Sequence, residues 1–127
     1  MYQSYIQWKG ESFFRELERE ALKGTFQHDN LVVSLGGGTP CFFDNLEQIN
    51  VHGQSVYIKL SAKSLASRLD KSKTIRPLIQ GVAENELFEF VQQQLGEREV
   101  YYNRAHFIIK GENLQLKELI QILDKSE

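Results

Sequence analysis

Six arginines and a run of three glycines are the residues of this chain whose types and spacing suggest chemistry. Gly36, Gly37 and Gly38 follow the branched run LVVSL and precede Thr39-Pro40. Successive glycines let backbone N–H groups approach a ligand with no Cβ in the way, and such a concavity attracts anions. The competing reading is a tight turn that needs positive φ. A nucleotide P-loop does not fit. That loop reads G-x-x-x-x-G-K-[S/T], with a lysine on the phosphates and a hydroxyl on Mg²⁺. Here Thr39-Pro40-Cys41 follows Gly38, and the motif occurs nowhere in the 127 residues.

Among the arginines, Arg15 lies in FFRELE between phenylalanines and Leu17, so its stem is expected near the core-facing side of a helix. Glu18, one turn on, can pair with it. A guanidinium suits bidentate capture of a carboxylate or phosphate. Arg76 precedes Pro77 inside the polar stretch DKSKTIRP (70–77), which reads as a loop able to swing a charge over a transferring phosphoryl group. His28, His52 and His106 lack metal-ligand spacing and read as turn or strand-edge residues, so no metal site is expected. Cys41, the single cysteine, has no His–Asp/Asn motif pointing at it and reads as a small buried hydrophobe. Trp8 and the phenylalanines read as core and helix-packing residues.

The elements that must position these groups follow from apolar spacing. Phe13, Phe14, Leu17, Ala21 and Leu22 predict a helix over 11–23, with Gly24 as its C′ residue. LVVSL (31–35) reads as a strand buried on both faces. Asp44 is the expected N-cap of a short helix ending near His52-Gly53. SVYIKL (55–60) is the second strand, and Ser61 caps a helix to about Leu69. A lid loop over 70–81 precedes a long helix carrying Leu87, Phe88, Val91 and Leu95, which Gly96 is expected to split. HFIIK (106–110) is the third strand, Gly111 a turn, and Leu116, Leu119, Ile120 and Leu123 mark a terminal amphipathic helix. Helix and strand alternate, and the strands lack period-two alternation. That predicts an α/β fold with a parallel sheet between helical layers.

Composition bounds the rest. A chain of 127 residues with 41% hydrophobic and 25% charged residues makes one folded domain, 1–127. The net charge of −2 offers no electrostatic reason for a nucleic-acid or anionic membrane partner. No apolar stretch approaches the roughly 18 residues of a membrane span, the first residues lack a signal-peptide core, and one cysteine allows no internal disulfide. The expectation is a cytoplasmic protein.

Taken in order, four segments resemble the shikimate kinase family. GESFFRELE (10–18) is similar to its G-E-x-x-F-R-x-x-E helix start, and VVSLGGGTP to its strand and glycine triplet. VYIKL with Arg68 and IRPLIQG (75–81) resembles its fourth strand, lid and R-P-L motif. LGEREVYYNRA (95–105) resembles its L-x-x-R-x-x-x-Y-x-x-A segment. The resemblance implies a three-layer P-loop-kinase-like fold and transfer of a phosphoryl group from ATP, with Mg²⁺, to shikimate. It implies that Arg15, Arg98 and the Gly37 backbone clamp the shikimate carboxylate. Glu18 would orient Arg15, with Gly36 and Gly38 shaping the turn. Arg76 would be the lid arginine that stabilises phosphate charge, and Arg68 a supporting nucleotide contact.

The departure is at the front. The family's Walker A loop and Asp-x-Asp segment have no counterpart among these residues, nor does the arginine that some members carry after the last strand. The expectation is an N-terminally truncated family member, lacking the first two strands of the family sheet and inactive alone. In the family's sheet order, 2-3-1-4-5, this leaves a slot between the LVVSL and VYIKL strands. Self-association through that slot, or direct pairing of its two walls, is expected to follow. The competing readings are a non-catalytic module that binds a small carboxylated ligand, and an inert α/β remnant.

Overall fold

The computed structural model describes residues 10–71 and 83–125. Helix α1 spans Glu11–Thr25, and a single 3₁₀ turn spans Thr39–Cys41. Helix α2 (Asn45–His52) leads to strand β1 (Val56–Lys59), then helix α3 (Ala62–Lys71). Helix α4 (Glu84–Tyr102), strand β2 (Phe107–Lys110) and helix α5 (Leu116–Lys125) complete the order.

β1 and β2 pair in parallel, in register from Val56 opposite Phe107 to Lys59 opposite Lys110. The ladder is extended at its ends by Phe107 N–H donating to Ser55 O (3.0 Å) and Gly111 N–H to Lys59 O (2.8 Å). Parallel neighbours need a long crossover, and here it runs through α3 and α4. Those helices make their own core: Ala66, Leu87 and Val91 are buried, with Ala62, Leu65, Leu69 and Phe88 packed around them. Leu87 and Val91 lie one turn apart, so a single stripe of α4 meets α3. Gly111 closes the strand pair. A Cβ there would stand 2.7 Å from Ile58 Cγ2 and 2.9 Å from Leu60 Cδ2, so only glycine fits. The result is an α/β fold with a parallel sheet, as its residue pattern predicts.

Several local expectations are corrected. LVVSL is not a strand: residues 31–35 carry no strand assignment, and their backbone bonds to no other described residue. Val32 is fully exposed, and Leu31, Val33 and Leu35 are exposed too. A strand is a property of a ladder, and no described segment runs beside this one. Neither does LVVSL close against VYIKL, because β1 pairs with β2 alone among the described residues. Gly24 does not end α1, which runs through it to Thr25 with Phe26 as a right-handed C-cap. Gly96 does not split α4. Mid-helix glycine costs only about 1 kcal/mol, and the packed α3–α4 face outweighs that. Phe13, Phe43 and Phe90 are exposed rather than core residues. Asp70 and Lys71 belong to α3, while the rest of the expected lid to 81, with Arg76, lies outside the described residues, as does Trp8. Ser61 caps α3 as expected, its Oγ accepting the Ser64 N–H at 3.1 Å. Asp44 precedes α2 but makes no side-chain cap; its carboxylate accepts from Arg19 and Gln48 instead.

Candidate functional site

The site is built on the glycine turn. None of Gly36, Gly37 and Gly38 has positive φ; among the described glycines only Gly10 does. The run therefore answers a need for space rather than for left-handed backbone. A Cβ on Gly38 would stand 2.7 and 2.8 Å from the two terminal nitrogens of Arg15. A Cβ on Gly37 would stand 3.0 Å from Arg98 Nη1 and 3.2 Å from the Tyr102 hydroxyl. Two guanidinium groups, from α1 and α4, thus lie against adjacent glycines.

Arg15 is 7% exposed, an unusual position for a charge. Its burial is balanced by Glu18 Oε1 at 3.0 Å and Glu11 Oε1 at 3.3 Å, one turn away on either side. The Phe42 ring lies against it, 4.2 Å from Cζ to centroid, a cation–π contact. The second oxygen of Glu18, Oε2, accepts the Thr39 hydroxyl at 2.9 Å. Thr39 O in turn accepts from the buried Asn45 side chain at 2.8 Å. One carboxylate therefore ties the arginine to the 3₁₀ turn, and the first residue of α2 ties the turn to the scaffold. Arg15, Thr39 and Asn45 are buried, and these bonds tie the turn to α1 and α2, although Arg15 Nε finds no hydrogen-bond partner among the described residues.

The other wall is helix α4. Arg98 and Tyr102 stand one turn apart and both face Gly37. The Tyr102 hydroxyl donates to the Gly37 carbonyl. Burial pushes the Tyr102 phenol up, and hydrogen bonding and charge from Arg98 partly offset the rise. Tyr57 of β1 packs on the Tyr102 ring, with centroids 5.0 Å apart, and donates to Glu99 at 2.9 Å. Burial, then the Glu99 carboxylate, hold the Tyr57 phenol far above its usual range. Arg98 makes no ion pair among the described residues, so its charge is available to an anion. Cys41 is half-buried rather than fully so, with Sγ 3.9 Å from Gly37 O. Burial raises its thiol pKa, against the pull of Arg98 and Arg15.

Of the residues singled out in the sequence, Arg15, Glu18, Gly36, Gly37, Gly38 and Arg98 are brought together. Arg68 is exposed in the last turn of α3, away from that group of contacts. Thr39, Phe42, Asn45 and Tyr102 belong to the site and were missed. Tyr102 had a signal: its i+4 spacing from Arg98 puts the two on one helix face. The remainder had none, because their bonds depend on how the turn folds back.

The glycine turn does not fit a nucleotide. It holds no lysine, the Arg15 guanidinium fills the space beside Gly38, and Tyr102 takes the Gly37 carbonyl. Its free capacity is for a small anion between two guanidinium groups.

The family model for shikimate kinase matches residues 2–125. The chain belongs to the shikimate kinase family. A Bacteroides fragilis shikimate kinase is 39% identical over 113 residues, covering 89% of this chain and 63% of that protein. The shikimate kinase of Phocaeicola vulgatus is 40% identical, covering 89% of this chain and 65% of that protein. A crystal structure of shikimate kinase from Bacteroides thetaiotaomicron superposes with a TM-score of 0.89 at 35% identity, covering 97% of this chain and 72% of that one. The chain thus spans less than two thirds of the length of these curated family members. No described helix is long and apolar enough to cross a membrane.

Proposed function

We propose that this chain carries the acceptor side of a shikimate kinase, the part that holds a shikimate-like carboxylate while a phosphoryl group is delivered to it. The observation that carries the reading is the convergence of Arg15 and Arg98 on adjacent glycines. Two guanidinium groups, with the Gly37 and Gly38 N–H groups that donate to no other described residue, offer a planar carboxylate charge-assisted hydrogen bonds from several directions. Glu18, Glu11 and Phe42 fix Arg15, so little ordering remains to be done on binding. Arg98, which makes no ion pair among the described residues, supplies the remaining charge. Such groups position an acceptor, and positioning with electrostatic stabilisation is most of phosphoryl transfer.

ATP supplies the phosphoryl group in this reading, with Mg²⁺ on its phosphates. The described residues form no cradle for either. Arg76 is the proposed charge-stabilising lid residue and Arg68 its neighbour at the lid base. These 127 residues by themselves, which contain no P-loop motif, are proposed to bind the acceptor without turning it over. The exposed apolar residues 31–35 and the second edge of β1 support self-association, which sedimentation across a concentration series would detect.

The deciding experiment is calorimetry with shikimate. The parent chain binds, and Arg15→Ala and Arg98→Ala each weaken binding about tenfold or more, in line with losing a charged hydrogen-bond donor. Equal binding by the parent and both variants would sink the clamp, and ATP-dependent turnover by the pure chain would sink the claim of inactivity.

A further inference from the structure

The Gly37–Gly38 peptide unit poses a problem that the clamp reading leaves open. Glycine accepts φ and ψ values closed to other residues, so a peptide between two glycines can rotate about its flanking bonds at little cost. The unit is planar and trans, so its C=O and N–H point in opposite directions. Turning the carbonyl over therefore reverses the Gly38 N–H as well. Neither Gly37 nor Gly38 donates its N–H to another described residue, and the neighbouring bonds, Thr39 N–H to Gly36 O (3.1 Å) and Cys41 N–H to Gly38 O (2.9 Å), leave this unit uncommitted. The Tyr102 hydroxyl holds it, donating to Gly37 O from α4, and the Cys41 thiol makes only a long, weak contact with the same carbonyl at 3.9 Å.

We infer that Tyr102 is the positioning residue of the clamp, holding the Gly37 carbonyl toward α4 and so fixing the direction of the Gly38 N–H. The hydroxyl has one proton and two lone pairs, so it can donate to the carbonyl while accepting from the Arg98 guanidinium that lies beside it. A single oxygen then sets both the backbone donor and the side-chain donor relative to each other. Tyr57 keeps the ring in place from behind, its own hydroxyl committed to Glu99. Tyr102 need not touch the ligand to act. The inference rests on the proposed carboxylate clamp for its consequence in binding, but not for the lock itself.

Two readouts separate these. Glycine-selective ¹⁵N labelling of the whole chain gives nine amides; ¹³C-labelled glycine carbonyls mark the two preceded by glycine, Gly37 and Gly38, and sequential backbone assignment back from Thr39 separates them. In Tyr102→Phe, which removes only the hydroxyl, the Gly38 amide shifts and broadens through exchange, while Gly111 in the strand pair does not. Shikimate affinity falls roughly tenfold, the effect of one hydrogen bond that organises a charged site. Tyr101→Phe, the same change one residue earlier on α4, leaves both readouts within about twofold or one linewidth of the parent. A Tyr102→Phe chain with an unchanged, sharp Gly38 signal overturns the lock, whatever shikimate does. A shifted Gly38 with unaltered shikimate affinity overturns the role in binding. A parent that fails to bind shikimate refutes the clamp instead, and the Gly38 signal still decides the lock. Should Tyr102→Phe not fold, the free parent decides: a single unbroadened Gly38 amide supports the lock, and exchange between two orientations refutes it.

Discussion

Residues 31–35 and residues 36–39 are neighbours in sequence and opposites in structure. LVVSL is the most strand-like run in the chain, yet it is exposed and bonded to nothing among the described residues. GGGT is the least regular, yet it is held by Glu18, Asn45 and Tyr102 and packed against two arginines. The difference lies in where each finds its partners. A glycine turn can be completed by side chains that the described residues supply. A central strand needs a ladder on each edge, and propensity does not substitute for one. Local order here follows satisfied hydrogen bonds rather than hydrophobicity.

The strongest way to break that comparison is to spoil the fit of the turn. Gly38→Ala places a methyl inside contact distance of the Arg15 guanidinium, which Glu18, Glu11 and Phe42 prevent from moving freely. Overpacking of this kind costs about 1–3 kcal/mol in stability. Displacing a positioned donor should cost shikimate affinity about tenfold to a hundredfold. Calorimetry and a urea titration on the same sample check both numbers. Retained affinity would show that the turn's tight packing is incidental.

Next in size is the anchor beneath it. Asn45 is 2% exposed and donates to Thr39 O. Asn45→Ala leaves a buried carbonyl without that donor, at a cost of about 1–3 kcal/mol. The urea midpoint should fall while the slope stays unchanged. An unchanged midpoint would mean the 3₁₀ turn does not depend on α2.

The pattern of residues carried local facts and missed relational ones. The Arg15–Glu18 pair was legible because three residues of helix set its geometry. Helices α1 to α5 and the β1–β2 pair were legible from apolar spacing and cap residues, within a few positions. LVVSL was misread because a branched run records what a segment would do beside a neighbour, and the neighbour is not in the run. Thr39 and Asn45 were overlooked because a threonine and an asparagine in a loop look like solvated residues until the turn buries them. Phe42 looked like core and lies against a cation. The spacing of Tyr102 from Arg98 puts both on one face of α4, but that the face meets Gly37 depends on how the turn folds back.

A smaller test concerns an interaction made entirely in solvent. Glu112, fully exposed after β2, accepts from Ser61 N–H at 3.1 Å and Ser64 Oγ at 3.2 Å at the start of α3. The Ser61 backbone bond first, then its own backbone N–H and the serine hydroxyls, hold its carboxyl below the ordinary 4.5. A carboxyl depressed in the folded state makes the unfolded chain bind more protons, so its stabilising contribution is present above 4.5 and is lost as pH falls through the folded value. Glu112→Gln should flatten that acid limb and leave neutral stability nearly unchanged. An identical acid limb in both proteins would remove Glu112 from the cap.

The smallest expected effect tests the other half of the comparison. Val32 is fully exposed, so Val32→Glu removes no buried contact and creates no buried charge. Stability should stay within about 0.5 kcal/mol of the parent, as for surface changes away from special features. The substitution does place a charge in the apolar stretch proposed for self-association, so sedimentation should show less oligomer at the same concentration. A loss of several kcal/mol would show that Val32 is buried in solution, which would make residues 31–35 a paired strand after all. The contrast with the glycine turn would then disappear, because both segments would be held by partners.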